Sequence, residues 1–330
     1  NVELLYWVIP LCILILITTY LTDILTSYKY FTLPMIAASI NSIFSLVFVI
    51  FFHSVLDVRS IVLGITIAYL INITALLLIM KIRLHWFFRF KSVYLRKKLI
   101  INIFYVQAGN IVLIIASYIP LYLLSGFNAG IITALNYGRS VSEIPNQMIT
   151  NQISAVSGIK FSTLCAKNEY DKLNGFFLKT TKFLIFILVP ISGIFYLFSE
   201  EIITFFFKRG LFGEESVMQS ALFLKYFGLI LPLIGIDTIV ARLNMASQKI
   251  KQAFWFAIII NTISIILLIY FINFIGVIGY PIAMLLKSLL AVIGVYFLYK
   301  MIFKEIKYKN VLVYCAFILG INLIAILLIK

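Results

Sequence analysis

Long apolar runs constrain this chain more than anything else in it. Residues 4–21, 33–52 and 61–80 contain no acidic or basic side chain over 18 to 20 positions. That length crosses the hydrocarbon of a bilayer as a helix. Inside a bilayer no water is available to the backbone, so a spanning segment must close its own hydrogen bonds, as a helix or in a closed barrel. A barrel needs strands of about ten residues that alternate apolar and polar positions, and that alternation is absent. The fold class follows: an all-α integral membrane protein, a polytopic helical bundle. Composition agrees. The chain is 63% hydrophobic and 12% charged, with a mean hydropathy of +1.10, where a soluble domain is about half apolar and about a quarter charged.

Ten spans are expected, at 4–21, 33–52, 61–80, 99–124, 129–154, 176–198, 217–243, 253–274, 277–299 and 311–329. The formal charge of +15 would suggest a nucleic-acid partner in a soluble chain. Here the cations lie between apolar runs and report topology instead. The connections at 81–98, 160–182, 242–251 and 300–309, with Lys29, carry twenty basic residues on one side, against Arg59, Lys208 and Arg209 on the other. The basic side faces the cytoplasm, so a multi-pass protein of a membrane bordering the cytoplasm is expected, with no nucleic-acid partner.

The charge count also decides the fate of 129–154, the most polar of the ten. Without a crossing there, the two most basic connections would lie on opposite sides of the membrane. On a helix, Asn136, Arg139, Glu143, Asn146, Gln147 and Thr150 share one face, and Leu135, Val141, Ile144 and Met148 lie opposite. A helix at membrane depth with one polar face is expected to line a water-filled cavity; a buried Arg–Glu pair that joins helices is the alternative. Arg139 and Glu143, four apart, can pair along the face. Pro145 removes a backbone hydrogen bond and introduces a kink. Gln107 and Asn110, three apart in the fourth span, can face the same cavity, with interhelical hydrogen bonding as the alternative.

Asp237 and Lys287 lie near the middle of the seventh and ninth spans. A charge there costs roughly 2.5–3.5 kcal/mol on insertion scales, so it marks an ion-coupling candidate with a partner. Lys225 lies nearer a span end and can snorkel. The connection 81–98 interleaves its cations with Trp86, Phe87, Phe88, Phe90 and Tyr94. It reads as an amphipathic segment along anionic inner-leaflet lipids that divides the chain in two, or as an orientation signal alone.

No catalytic constellation is visible. Cys12, Cys165 and Cys315 are far apart, and His53 and His85 are isolated, so neither a disulfide framework, a metal site nor a cofactor is expected. There is no P-loop, HExxH, GxSxG or Rossmann glycine pattern. Glu200, Glu201, Glu214 and Glu215 read as ordinary outer-loop charges. A transporter is favoured over an enzyme. The chain opens at Asn1 almost directly into a span and closes on Lys330 directly after one, which reads as a fragment or as trimmed ends.

One block carries a resemblance. Phe205–Phe212 reads FFFKRGLF, followed by Gly213, Glu214 and Glu215 and then by Tyr226, Phe227, Gly228 and Leu229. It resembles the "RGxF, acidic turn, Tyr-x-x-Gly-Leu" block of the MurJ/MviN lipid II flippases, in the multidrug, oligosaccharidyl-lipid and polysaccharide exporter superfamily. Ser125, Gly126, Leu135, Tyr137 and Pro145 are similar to that family's passage from its seventh to its eighth helix. Ile24, Leu25, Thr26, Tyr30, Phe31 and Pro34 are similar to its link between the fourth and fifth. The resemblance implies helices four to thirteen of a fourteen-helix, two-lobed, V-shaped flippase. Residues 1–80 would then complete the N-terminal lobe with three helices, 81–98 would be the inter-lobe link, 99–302 the six-helix C-terminal lobe, and 303–330 an additional helix.

The implied function is translocation of an undecaprenyl-pyrophosphate-linked precursor such as lipid II by alternating access. Arg139 would take the phosphate, and Asn136, Glu143, Asn146 and Gln147 the sugar path. The family usually carries arginine three residues after the tyrosine. Here Ser140 stands in that place and Arg139 comes one earlier, a rotation of roughly 100°. Alternatives are a flippase for O-antigen or exopolysaccharide units, a cation-coupled drug antiporter using Glu143 or Asp237, and, from another class, a membrane scaffold or glycan polymerase.

Overall fold

The computed structural model describes residues 2–30, 32–86, 97–127, 130–210 and 212–329. Its described residues form helices and no strand. The aromatic and basic stretch 87–96 lies outside them. The chain divides into two compact units, Asn1–Tyr94 and Leu95–Lys330.

The first unit holds α1 (Val2–Ser27), α2 (Thr32–Leu56) and α3 (Arg59–Leu84). Leu21 and Leu25 of α1, Ala37 of α2, and Leu76 and Met80 of α3 form its buried cluster. Gly64 of α3 admits the ring of Phe48 from α2, which would lie 3.0 Å from an added Cβ. Most of the remaining surface is apolar and exposed, with Phe51, Leu78 and Ile82 as examples. That is the surface a helix presents to lipid tails rather than to water.

The second unit contains α4 (Lys97–Leu124), α5 (Ile131–Pro145), a π-helical turn at Asn146–Thr150, α6 (Asn151–Ala166), α7 (Tyr170–Leu197) and α8 (Ser199–Phe207). It continues with α9 (Glu214–Ala246), α10 (Ile250–Ile275), a 3-10 turn at Gly276–Ile278, α11 (Gly279–Ile302) and α12 (Lys309–Ile329). The centre is α9, which buries residues along its whole length. Glycines set how its neighbours run. Gly228 and Gly235 of α9 lie under Phe195 and Leu188 of α7, so α7 is antiparallel to it. Gly138 of α5 meets Ser220–Leu224 and Gly158 of α6 meets Arg242, so α5 and α6 run parallel to α9 from one end to the other.

That register places the polar segment. Eight stretches are long and apolar enough to cross a membrane, one of them, Ile250–Ile302, holding both α10 and α11. The expected span 129–154 is not among them because it is too polar. Its depth is fixed by α9 instead: a helix that lies beside α9 along its length crosses what α9 crosses. The helix also continues to Ala166, beyond the expected end at 154. Residues 199–207, expected as loop, form the short helix α8.

Gly276 divides the continuous apolar run of α10 and α11, at φ 73° and ψ −142°. Residues with a Cβ rarely adopt that region, so a glycine ends the helix there. The turns α6–α7, α9–α10 and α11–α12 meet at one end, where Ser162, Cys165, Tyr170, Lys249, Phe303 and Glu305 border a common cavity. Within this unit the basic connections therefore share one side. Below them Tyr299 donates to Asn244 Oδ1 at 3.1 Å and Tyr308 to the Val292 carbonyl at 3.2 Å. These bonds satisfy hydroxyls that burial would otherwise leave stranded. Asn322 of α12 fills the space over Gly193 and donates to the Val189 carbonyl at 3.0 Å, joining α12 to α7.

Candidate functional site

The polar segment starts at Gly130, whose φ of 98° turns the chain into α5 as few other residues could. From there α5 buries Ile131, Ala134, Leu135, Gly138, Val141, Ser142 and Pro145. Gly138 is the point of closest approach. A Cβ there would come within 2.6 Å of the Ser220 carbonyl oxygen and 2.9 Å of the Leu224 nitrogen. Backbone cannot yield as a side chain would, so only glycine allows α5 this close to α9.

The other face is open. Asn136, Arg139, Ser140 and Gln147 are exposed and Glu143 is half-buried. Arg139 Nε donates to Glu143 Oε1 at 2.7 Å, and the two side chains remain 54% and 43% exposed. The i,i+4 pairing read from the sequence is therefore present. Only Nε is used; among the described residues no hydrogen bond engages the two terminal nitrogens of the guanidinium. The offset of Arg139 from the family position does not bury it, because the open face is wide enough to hold both Arg139 and Ser140.

Two parts of the expected stripe need correction. Thr150 is fully buried and its hydroxyl has no partner, while Asn146 is half-buried with its Oδ1 likewise unpartnered. Ile144 and Met148, expected on the apolar face opposite, are exposed at 42% and 71%. For Asn146 and Thr150 the cause is the π-helical turn Asn146–Thr150 immediately after Pro145. Proline donates no hydrogen bond, and the wider turn shifts the phase of every residue that follows. The strict 3.6-residue period holds up to Glu143 and fails past Pro145.

Gln107 and Asn110 also separate. Asn110 lines a cavity of about 330 Å³ enclosed by α4, α9, α10 and α11, and Gln107 is not part of its wall. This cavity is where Asp237 and Lys287 come together, from helices fifty residues apart. Asp237 is hemmed in by protein but open to the cavity. Both charges line it, and among the described residues they form no direct ion pair. Asn244 and Asn261 complete the polar wall. Sequence reasoning missed both. Asn244 could have been found, since it lies seven residues after Asp237 and so on the same face two turns on. Among the described residues no cluster of His, Cys, Asp or Glu has the makings of a metal site.

Two of the blocks that carried the family resemblance meet in space. Tyr137 of α5 packs its ring against Phe207 at 4.6 Å and edge-on against Phe212 at 5.0 Å, so the FFFKRGLF segment docks on the helix that bears Arg139.

Comparison with known proteins agrees with this architecture. The family profile described as "Lipid II flippase MurJ" matches residues 1–330. A Borreliella burgdorferi protein named as a probable lipid II flippase MurJ is 22% identical over 295 residues, covering 87% of this chain and 57% of the relative. This chain thus spans little more than half the length of that relative. The solved structure of a lipid II flippase MurJ in an inward closed conformation superposes with a TM-score of 0.70 at 23% identity, covering 99% of this chain and 67% of that one. The Vibrio cholerae MATE transporter VcmN superposes with a TM-score of 0.74 at 14% identity, covering 88% and 67%. At these identities the two structures speak for the fold; the match along the full chain speaks for the family. This membrane protein belongs to the MurJ family of lipid II flippases.

Proposed function

We propose that this protein takes part in moving an undecaprenyl-pyrophosphate-linked glycan lipid of the lipid II class from the inner to the outer leaflet by alternating access. The step is a movement in which no bond is made or broken. The observation that carries this reading is the open polar face of α5, held at membrane depth by its packing along α9. Glu143 holds the guanidinium of Arg139 through Nε and leaves the terminal nitrogens available for a phosphate, which guanidinium groups bind in a two-pronged fashion. Asn136 and Gln147, exposed on either side, offer amides to sugar hydroxyls. Glu143 is a positioning residue here, and Arg139 a binding one. The cations and aromatics of 81–98 suit anionic inner-leaflet lipids on sequence grounds.

The test is complementation of a strain depleted of its lipid II flippase. Rescue should vanish with Arg139→Ala and persist with Lys225→Ala, whose ammonium sits 4.6 Å over the Tyr196 ring, away from the open face. Full rescue by Arg139→Ala would overturn the phosphate assignment.

A coupling role for this cavity is supported by one further observation: Asp237 and Lys287 face the same space without forming an ion pair. Such a carboxylate can exchange its partner during a cycle. Transport by Asp237→Asn should lose its dependence on an imposed ion or proton gradient, and an unchanged dependence would remove this role.

A further inference from the structure

A third and larger cavity lies at the outer end of the same unit. About 660 Å³ opens between the start of α5, the end of α8 and the first turns of α9. Binding cavities for small ligands run from about 300 to 1,000 Å³. Thr133 lines it from α5. The line of exposed Thr133, Asn136, Ser140 and Gln147, with half-buried Glu143 among them, advances by three and four residues, so the open face of α5 leads directly into this cavity.

Its walls are of two kinds. Tyr137, Phe207 and Phe212, already in ring contact, form an aromatic side. Facing them are Arg209, Glu215 and Gln219. Gln219 Nε2 donates to Glu215 Oε1 at 3.2 Å, which leaves the amide oxygen and the second carboxylate oxygen for a ligand. Neighbouring Lys208 is paired with Glu214, whereas Arg209 is exposed and makes no ion pair among the described residues. The Ser220 hydroxyl, on the same lining, is fully buried and has no partner.

This mixture selects a ligand chemistry. A purely apolar ligand would strand Arg209, Glu215 and Gln219 without water. A bare phosphate would meet the Glu215 carboxylate, a like charge. A sugar ring satisfies both walls: its hydroxyl and acetamido groups donate to carboxylate and amide oxygens and accept from guanidinium and amide N–H groups, while its C–H face lies against aromatic rings, which are apolar in body.

We propose that this outer cavity is a carbohydrate-binding subsite, in which Arg209, Glu215 and Gln219 hold one or two sugar rings against Tyr137, Phe207 and Phe212. As the place where a translocated headgroup first docks on the outer side it rests on the proposed function; as a sugar site it does not, since a free saccharide has the same chemistry.

The test places a reporter in the wall. Thr133→Cys is labelled with a water-soluble maleimide in the detergent-solubilised protein, and the modified peptide is quantified by mass, which separates it from Cys12, Cys165 and Cys315. Two probes are used, diacetylchitobiose and a short-chain lipid-linked disaccharide. A competitor at twice its dissociation constant slows labelling about threefold. We expect that slowing with a probe present, and its loss in Gln219→Ala, whose labelling rate without sugar stays unchanged. Protection by both probes assigns the site to the headgroup, and protection by diacetylchitobiose alone to a free saccharide; either supports the subsite. Labelling that neither probe slows overturns it, as does protection that survives Arg209→Ala with Gln219→Ala. Flipping is measured separately on the same protein. Protection without flipping retains the subsite and removes the flippase reading, and flipping without protection does the reverse.

Discussion

Two polar regions lie within one apolar bundle, and they are built in opposite ways. On α5 the charges are partners on a single helix, Arg139 and Glu143, joined at 2.7 Å and open on the outside. In the cavity of α4, α9, α10 and α11 the charges come from two helices, Asp237 and Lys287, set between helices in a cavity open to solvent and without a direct ion pair. The first arrangement costs the fold little, because exposed pairs are worth about 0–1 kcal/mol either way. The second sets two opposite charges between helices, where each is the nearest counter-charge the cavity wall offers the other. The contrast separates a surface available for binding from an internal element tied to stability.

Mutations can break that contrast. The largest expected effect is in the cavity. Asp237→Ala leaves Lys287 without its counter-charge and should lower stability by about 2 kcal/mol, below the 3–5 kcal/mol of a dry buried pair because the cavity is open to solvent. Adding Lys287→Met should recover more than half of that loss, read as the melting temperature in detergent. Additive losses would show that the two charges stand alone.

Next is Gly138→Ala, which forces a methyl group into the α9 backbone. Overpacking of this kind costs about 1–3 kcal/mol, and the shift of α5 should reduce transport as well. An unchanged melting temperature would contradict the close approach. Arg139→Ala should come third in stability, below about 1 kcal/mol, yet abolish rescue of a flippase-depleted strain. Glu143→Gln should be smallest, within about 0.5 kcal/mol, and should weaken headgroup binding less than Arg139→Ala does, because it loosens the guanidinium without removing it.

How much of this could be read from the sequence depends on how local the cause is. The spans were legible because each apolar run declares itself over some twenty residues. Residues 129–154 were harder, being too polar to qualify on hydropathy, but the basic connections on either side required a crossing, and Gly138 and Gly158 against α9 show where it lies. The Arg139–Glu143 pair was visible because it is four residues long. Thr150 is misplaced by helical spacing because one π-helical turn after Pro145 changes the phase, and nothing in that spacing anticipates a wider turn. The meeting of Asp237 with Lys287, and of Tyr137 with Phe207 and Phe212, depends on how helices pack. Single-chain periodicity does not encode that.

The most direct test of the central claim is the rate at which a lipid-linked disaccharide pyrophosphate crosses the bilayer of proteoliposomes containing equal amounts of folded wild-type or Arg139→Ala protein. The open face of α5 as the headgroup path predicts a wild-type rate well above empty liposomes and an Arg139→Ala rate close to them, with matching melting temperatures. Equal rates for the two proteins would contradict it.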